Sequence, residues 1–140
     1  MVNKRATLTV LWIFAVLNFV YADVVELFYT AGSIQAGTGI PGAIQYTQGL
    51  LLGASVLVEI PMAMVVLSWT LKHKVNRWAN IIIGAVYTVV TLATQFIVPI
   101  MNGTTTTFYL FFGAIEILTT SFIVWYGWKW RAGEDTVSMQ

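Results

Sequence analysis

Four apolar runs, each long enough to cross a bilayer, take up most of this 140-residue chain. A helix needs about 20 predominantly apolar residues to span hydrocarbon roughly 30 Å thick. The runs fall at about residues 7–29, 46–71, 78–98 and 108–130. That pattern predicts an all-α, single-domain bundle of four antiparallel transmembrane helices. A soluble alternative fails for want of a surface, because only 9% of the residues are charged against about 25% in ordinary soluble domains. The chain has no cysteine, which excludes thiolate catalysis, disulfides and cysteine-ligated clusters. His73 stands alone between Lys72 and Lys74 and reads as a solvated loop residue, so neither a metal nor a cofactor is expected. A net charge of +1 points to no nucleic-acid partner. The lipid bilayer is the expected surroundings.

The basic residues orient the bundle. Lys4 and Arg5, then Lys72, Lys74 and Arg77, then Lys129 and Arg131 make up all seven Lys and Arg residues, and all fall on one side of a four-span topology. The positive-inside rule places that side, with both termini, in the cytoplasm. Trp69 and Trp78 flank the basic turn, and Trp125, Trp128 and Trp130 form a belt at the end of the fourth span, as interfacial anchors do. The first run continues past Val20 without a small-residue cleavage site and reads as a retained span, not a cleaved signal. Residues 30–45 form the long outer connection, broken by Gly32, Gly37, Gly39, Pro41 and Gly42. A lid folded on the membrane surface is expected there, and a cytoplasmic tail at residues 131–140.

Four of the six acidic residues lie in or at the edge of spans. Glu59 falls near the midplane of the second span, and Glu116 about 12 Å in from the outer end of the fourth. Asp23 and Glu26 share nearly one face at the outer end of the first. A charged carboxylate in hydrocarbon costs several kcal/mol, and no basic residue lies at that depth. At least one of Glu59 and Glu116 is therefore expected to be neutral. Pro61 cannot donate to the Leu57 carbonyl, which predicts a kink and a free acceptor beside Glu59. In the third span Tyr87, Thr91, Thr94 and Gln95 share a face; in the fourth Gly113, Glu116, Thr120, Ile123 and Gly127 form one stripe. Asn18 lies at intermediate depth in the first. The inner third, apart from Asn80, reads as apolar packing.

At Leu11-Trp12 through Tyr21-Ala22-Asp23, Gln48-Gly49-Leu50-Leu51-Leu52-Gly53, Asn76-Arg77-Trp78-Ala79-Asn80-Ile81-Ile82 and Phe111-Phe112-Gly113-Ala114-Ile115-Glu116, the chain resembles a family of small bacterial four-helix membrane proteins classed only as a domain of unknown function. Asn-Arg-Trp-x-Asn-Ile after the basic turn is the most specific part. The resemblance implies a multi-pass protein of the bacterial inner membrane and no activity. The residues themselves point first to a non-enzymatic membrane protein that binds a small hydrophobic or cationic ligand, or passes it with protons, in an outward-facing acidic cavity. Glu59 and Glu116 would carry the proton or cation, Asp23 and Glu26 would form the mouth, and Tyr87, Gln95 and Asn18 would supply hydrogen bonds. Gly49 and Gly53, spaced for close helix approach, are the expected surface of a homodimer. Two alternatives stand beside this: a membrane enzyme acting on a lipid or isoprenoid through a Glu59–Glu116 acid/base pair, and an assembly subunit whose acids only clasp helices.

Overall fold

A first helix in a membrane protein can begin in water, and this one is capped there. In the computed structural model, which describes residues 3–37 and 47–131, the Asn3 side chain accepts the Arg5 N–H at 3.0 Å, meeting one of the four free donors of a helix start. Helix α1 then runs Lys4–Gln35, 32 residues or about 48 Å, longer than the hydrocarbon is thick. It absorbs residues 30–35, which were expected in the loop. A single Gly32 costs a helix only about 1 kcal/mol, and Ser33 returns its hydroxyl to the Tyr29 carbonyl at 2.9 Å. The helix closes instead at Gly37, whose φ of 69° lies in the left-handed region that ends helices. Half of the expected lid, residues 38–45, lies outside the described residues, as does all but the first residue of the expected tail.

Helix α2 is Gln48–Thr70 with Pro61 inside it. Helix α3, His73–Thr91, begins five positions earlier than the composition indicated. The Lys72 carbonyl already accepts the Asn76 N–H, so most of the basic turn is the first turn of a helix. The third span continues through a π-helical stretch, Leu92–Ile97, into α4, Val98–Asn102. Pro99 therefore does not end the span. It sits in the first turn of α4, behind a ladder that has slipped by one residue, with the Val98 N–H bonded to the Ala93 carbonyl. A widened turn tolerates the missing proline donor and its ring where a regular turn would clash. Helix α5 is Thr107–Trp128. Four helical spans are long and apolar enough to cross a membrane, and among the described residues there is no strand.

The spans alternate in direction. Helix α5 packs closely on α3 and on α1, α1 also carries α2, and α2 meets α3 only sparsely. The α3–α5 contact is close because Gly84 leaves room: a Cβ there would lie 3.0 Å from Val124 Cγ2 and 3.3 Å from the Thr120 carbonyl. The stripe on α5 faces inward, burying Gly113, Glu116, Thr119, Thr120, Ile123 and Gly127. Leucines and valines such as Leu52, Val66 and Leu118 remain more than 60% exposed, as they do against lipid.

The basic end is the closed end. Leu8, Trp12, Ala15, Met64, Ile123 and Trp130 form its core. Two expectations change here. Trp130 is buried and not part of a lipid-facing belt, while Trp69, Trp78, Trp125 and Trp128 are exposed. The inner third also holds a fully buried polar cluster, not apolar packing alone. Trp12 Nε1 donates to Asn80 Oδ1 at 2.7 Å, Ser68 donates to the same oxygen at 3.3 Å, Asn80 Nδ2 donates to Asn76 Oδ1 at 2.7 Å, and Asn76 Nδ2 donates to the Ser68 carbonyl. Every side-chain amide in it has a partner, the condition under which a buried polar group stabilises a bundle. Arg5 Nη1 meanwhile donates to the Trp69 and Leu71 carbonyls at 2.9 and 2.8 Å, capping α2. His73 is not a solvated loop residue; it starts α3 with its ring edge-on to Trp130, centroids 4.7 Å apart.

Candidate functional site

The geometry around Pro61 separates the two glutamates. Side chains two positions apart on a helix point about 200° from each other. Pro61 is buried, so Glu59 is turned outward. It is exposed and does not line the cavity that its neighbours Leu57 and Val58 help to wall. Glu59 is therefore not the floor of an inner pocket, and it makes no acid/base pair with Glu116. The Leu57 carbonyl, which lacks the proline's donor, is not left free: Tyr87 Oη–H donates to it.

The cavity measures about 140 Å³ and lies between all four spans, in the half away from the asparagine cluster. Helix α1 contributes Phe19, Ala22 and Asp23; the third span contributes Tyr87, Val90, Thr91, Thr94 and Gln95; α5 contributes Tyr109 and Glu116. The floor is Glu116, only 1% exposed. Gln95 Nε2 donates to its Oε2 at 2.6 Å and Thr91 to the same oxygen at 3.4 Å. Asn18 Nδ2 reaches Oε1 at 3.4 Å and is shared with the Phe112 carbonyl at 3.3 Å. Donors from α1, α3 and the π-helical stretch thus fix one carboxyl group of α5. No Lys, Arg or His lines the cavity.

Gln95 lies within the π-helical stretch, four residues after Thr91 and on the face it shares with Tyr87 and Thr91. From that face its amide reaches Glu116. The amide fits because Gly113 has no side chain: a Cβ there would collide with Gln95 Oε1 and stand 2.8 Å from Phe96 Cε2. Gln95 Oε1, pressed on that glycine, is buried with no protein donor.

At the other rim Asp23 is exposed and Glu26 half-buried, and Tyr109 lines the cavity wall. Tyr109 escaped the sequence reading. It lies four residues before Gly113 and seven before Glu116, so one more turn of the α5 stripe reaches it. The structure thus gathers Asn18, Asp23, Tyr87, Gln95 and Glu116 around one site with Glu26 beside it, and leaves Glu59 outside. Gly49 and Gly53 have nothing within 4 Å of an added Cβ, and both are exposed. Among the described residues no three His, Cys, Asp or Glu side chains converge as a metal site would require.

No curated protein matches the chain, and no solved structure matches it. A model of a family of unknown function, DUF6326, matches residues 1–137, and the chain belongs to that family.

Proposed function

We propose that this protein binds a small ligand, or passes it together with protons, in the cavity above Glu116, and that the cavity faces outward with the basic end in the cytoplasm. The observation that carries this reading is Glu116 itself. A carboxyl group that served only to clasp helices would be expected to meet its partners in a packed interface, as the asparagine cluster does. Glu116 instead lies on the floor of open space, held by donors from two other spans, with no cation among the walls. Ionisable groups inside a membrane bundle mark substrate or proton pathways as a rule. Asp23 at the rim extends the negative field outward, and the apolar wall of Phe19, Ala22, Leu57, Val58 and Val90 would hold the uncharged part of a ligand. Glu116 is the proton or cation group of this site, Gln95 and Asn18 position it, and Asp23 and Glu26 attract the ligand to the mouth. Of the two glutamates, Glu116 alone is given this role.

The absence of native cysteine makes the test direct. Single replacements Thr94→Cys, Asp23→Cys and Lys74→Cys are each labelled in whole cells with a membrane-impermeant maleimide. Labelling is expected at positions 23 and 94 and not at 74. If position 74 reacts and 23 and 94 do not, the outward-facing cavity is wrong.

A further inference from the structure

The hydrogen-bond state of the cavity wall specifies what the cavity can hold. Most of its hydroxyl protons are already engaged. Tyr87 donates to the Leu57 carbonyl, Thr94 to the Val90 carbonyl at 2.9 Å and Thr91 to Glu116, which leaves the Tyr109 hydroxyl. Gln95 directs its amide N–H to Glu116. What the wall still offers an occupant is almost wholly acceptor: the remaining lone pairs of Tyr87, Thr91 and Thr94, and the carboxylates of Glu116 and Asp23. A ligand whose own polar group is an acceptor would find only the Tyr109 hydroxyl there, and a polar group buried without a partner costs about 1–3 kcal/mol, more when charged. A ligand that brings N–H donors and positive charge meets complementary groups at nearly every polar point. Aromatic faces at Phe19, Tyr87 and Tyr109 favour a cation as well.

Size narrows the class. A cavity of roughly 150 Å³ holds a benzene molecule, so about 140 Å³ holds about six non-hydrogen atoms. A divalent metal ion is a poor match, since the cavity offers two carboxylates at most and, among the described residues, no third Asp, Glu, His or Cys converges with them. We infer that the cavity binds a compact organic ammonium ion, with its N–H groups on Glu116 and its apolar body against Phe19, Ala22, Leu57 and Val58. This rests on the cavity being a binding site at all.

The test uses the full chain in phosphatidylcholine nanodiscs and probes of matched size: n-pentylammonium, ethyltrimethylammonium (a cation without N–H), pentan-1-ol and pentanoate. Labelled pentylammonium is expected to bind saturably, with pentanol and pentanoate at least tenfold weaker and ethyltrimethylammonium weaker than pentylammonium. Glu116→Gln should weaken pentylammonium at least tenfold. Val58→Phe, which fills space without touching a polar group, should abolish binding of every probe and keeps the test valid if Glu116→Gln fails to fold. Pentanol or pentanoate binding as tightly as pentylammonium, with that binding lost in Val58→Phe, overturns the ammonium assignment and leaves the cavity reading standing. An absence of pentylammonium binding overturns the assignment too, and the cysteine labelling at Thr94 then decides whether the cavity reading falls with it.

Discussion

Tyr87→Phe isolates one hydrogen bond, and Pro61→Ala shows what that bond is for. The phenylalanine keeps the ring, which stands edge-on to Trp12 at 6.3 Å and tilted against Phe19 at 5.9 Å, so only the hydroxyl is lost. The Leu57 carbonyl then has no donor, because the residue four positions on is Pro61. An orphaned buried carbonyl costs about 1–3 kcal/mol, and polar contacts between membrane helices measure at most about 1.7 kcal/mol, so a loss of about 1–1.5 kcal/mol is expected. In a Pro61→Ala background the alanine N–H can bond Leu57 itself, and the same Tyr87→Phe change should then cost about 0.3 kcal/mol or less. The single Pro61→Ala change has no expected sign of its own, since recovered helix propensity opposes a cavity left by the buried ring. The difference between backgrounds, about 1 kcal/mol, is the measured quantity. Reversible unfolding in detergent micelles, followed by tryptophan fluorescence, reads it. Equal costs in both backgrounds would refute the assignment of Tyr87 as the donor that replaces the proline.

Three further outcomes follow from the same geometry. Asn80→Leu removes the acceptor of Trp12 and Ser68 and the donor to Asn76; a destabilisation of about 2–3 kcal/mol is expected, and an unfolding midpoint equal to that of the native chain would show the cluster to be incidental. Gly113→Ala drives a methyl into Gln95 and Phe96 and should cost about 1–3 kcal/mol while displacing the Gln95 amide signal in a selectively ¹⁵N-labelled sample; an unmoved signal contradicts the close fit of Gln95 on Gly113. Glu59→Leu removes an exposed carboxyl from a lipid-facing helix position, whose insertion cost is about 2.5–3.5 kcal/mol. The variant should be at least as stable as the native chain and keep its ligand binding, and loss of binding would return Glu59 to the site.

What the chain reveals without its fold is depth, and what it conceals is azimuth. Counting residues places Glu59, Glu116, Tyr87 and Gln95 at workable depths, and steps of three and four pick out the α5 stripe. Glu59 and Pro61 share a depth and yet face opposite ways, and only the burial of Pro61 reveals which of them turns inward. Gln95, four residues after Thr91, was legible on the face of Tyr87 and Thr91. The one-residue slip of the backbone ladder ahead of Pro99 was not, because no side-chain periodicity records it. The Leu57 carbonyl was legible as an acceptor in need, because proline chemistry demands it. The inner asparagines were hidden for another reason: Lys72, Lys74 and Arg77 give the first turn of α3 the composition of a loop, so Asn76 reads as solvated when it is buried at the start of a helix.

One face of α3 joins the two ends. Asn76, Asn80, Gly84, Tyr87 and Thr91 are all buried along it, and Gln95 continues the line into the π turn. At the lower end each amide is matched by a partner, and that end closes. Midway Tyr87 serves both sides, since its proton repairs the α2 backbone while its oxygen faces the cavity. Beyond it the donors converge on a single carboxyl and leave acceptors turned toward empty space. Stability and the proposed binding therefore fall to different stretches of one helix. The π turn lies at the boundary and serves both: it admits Pro99 behind it and carries Gln95, whose amide holds Glu116.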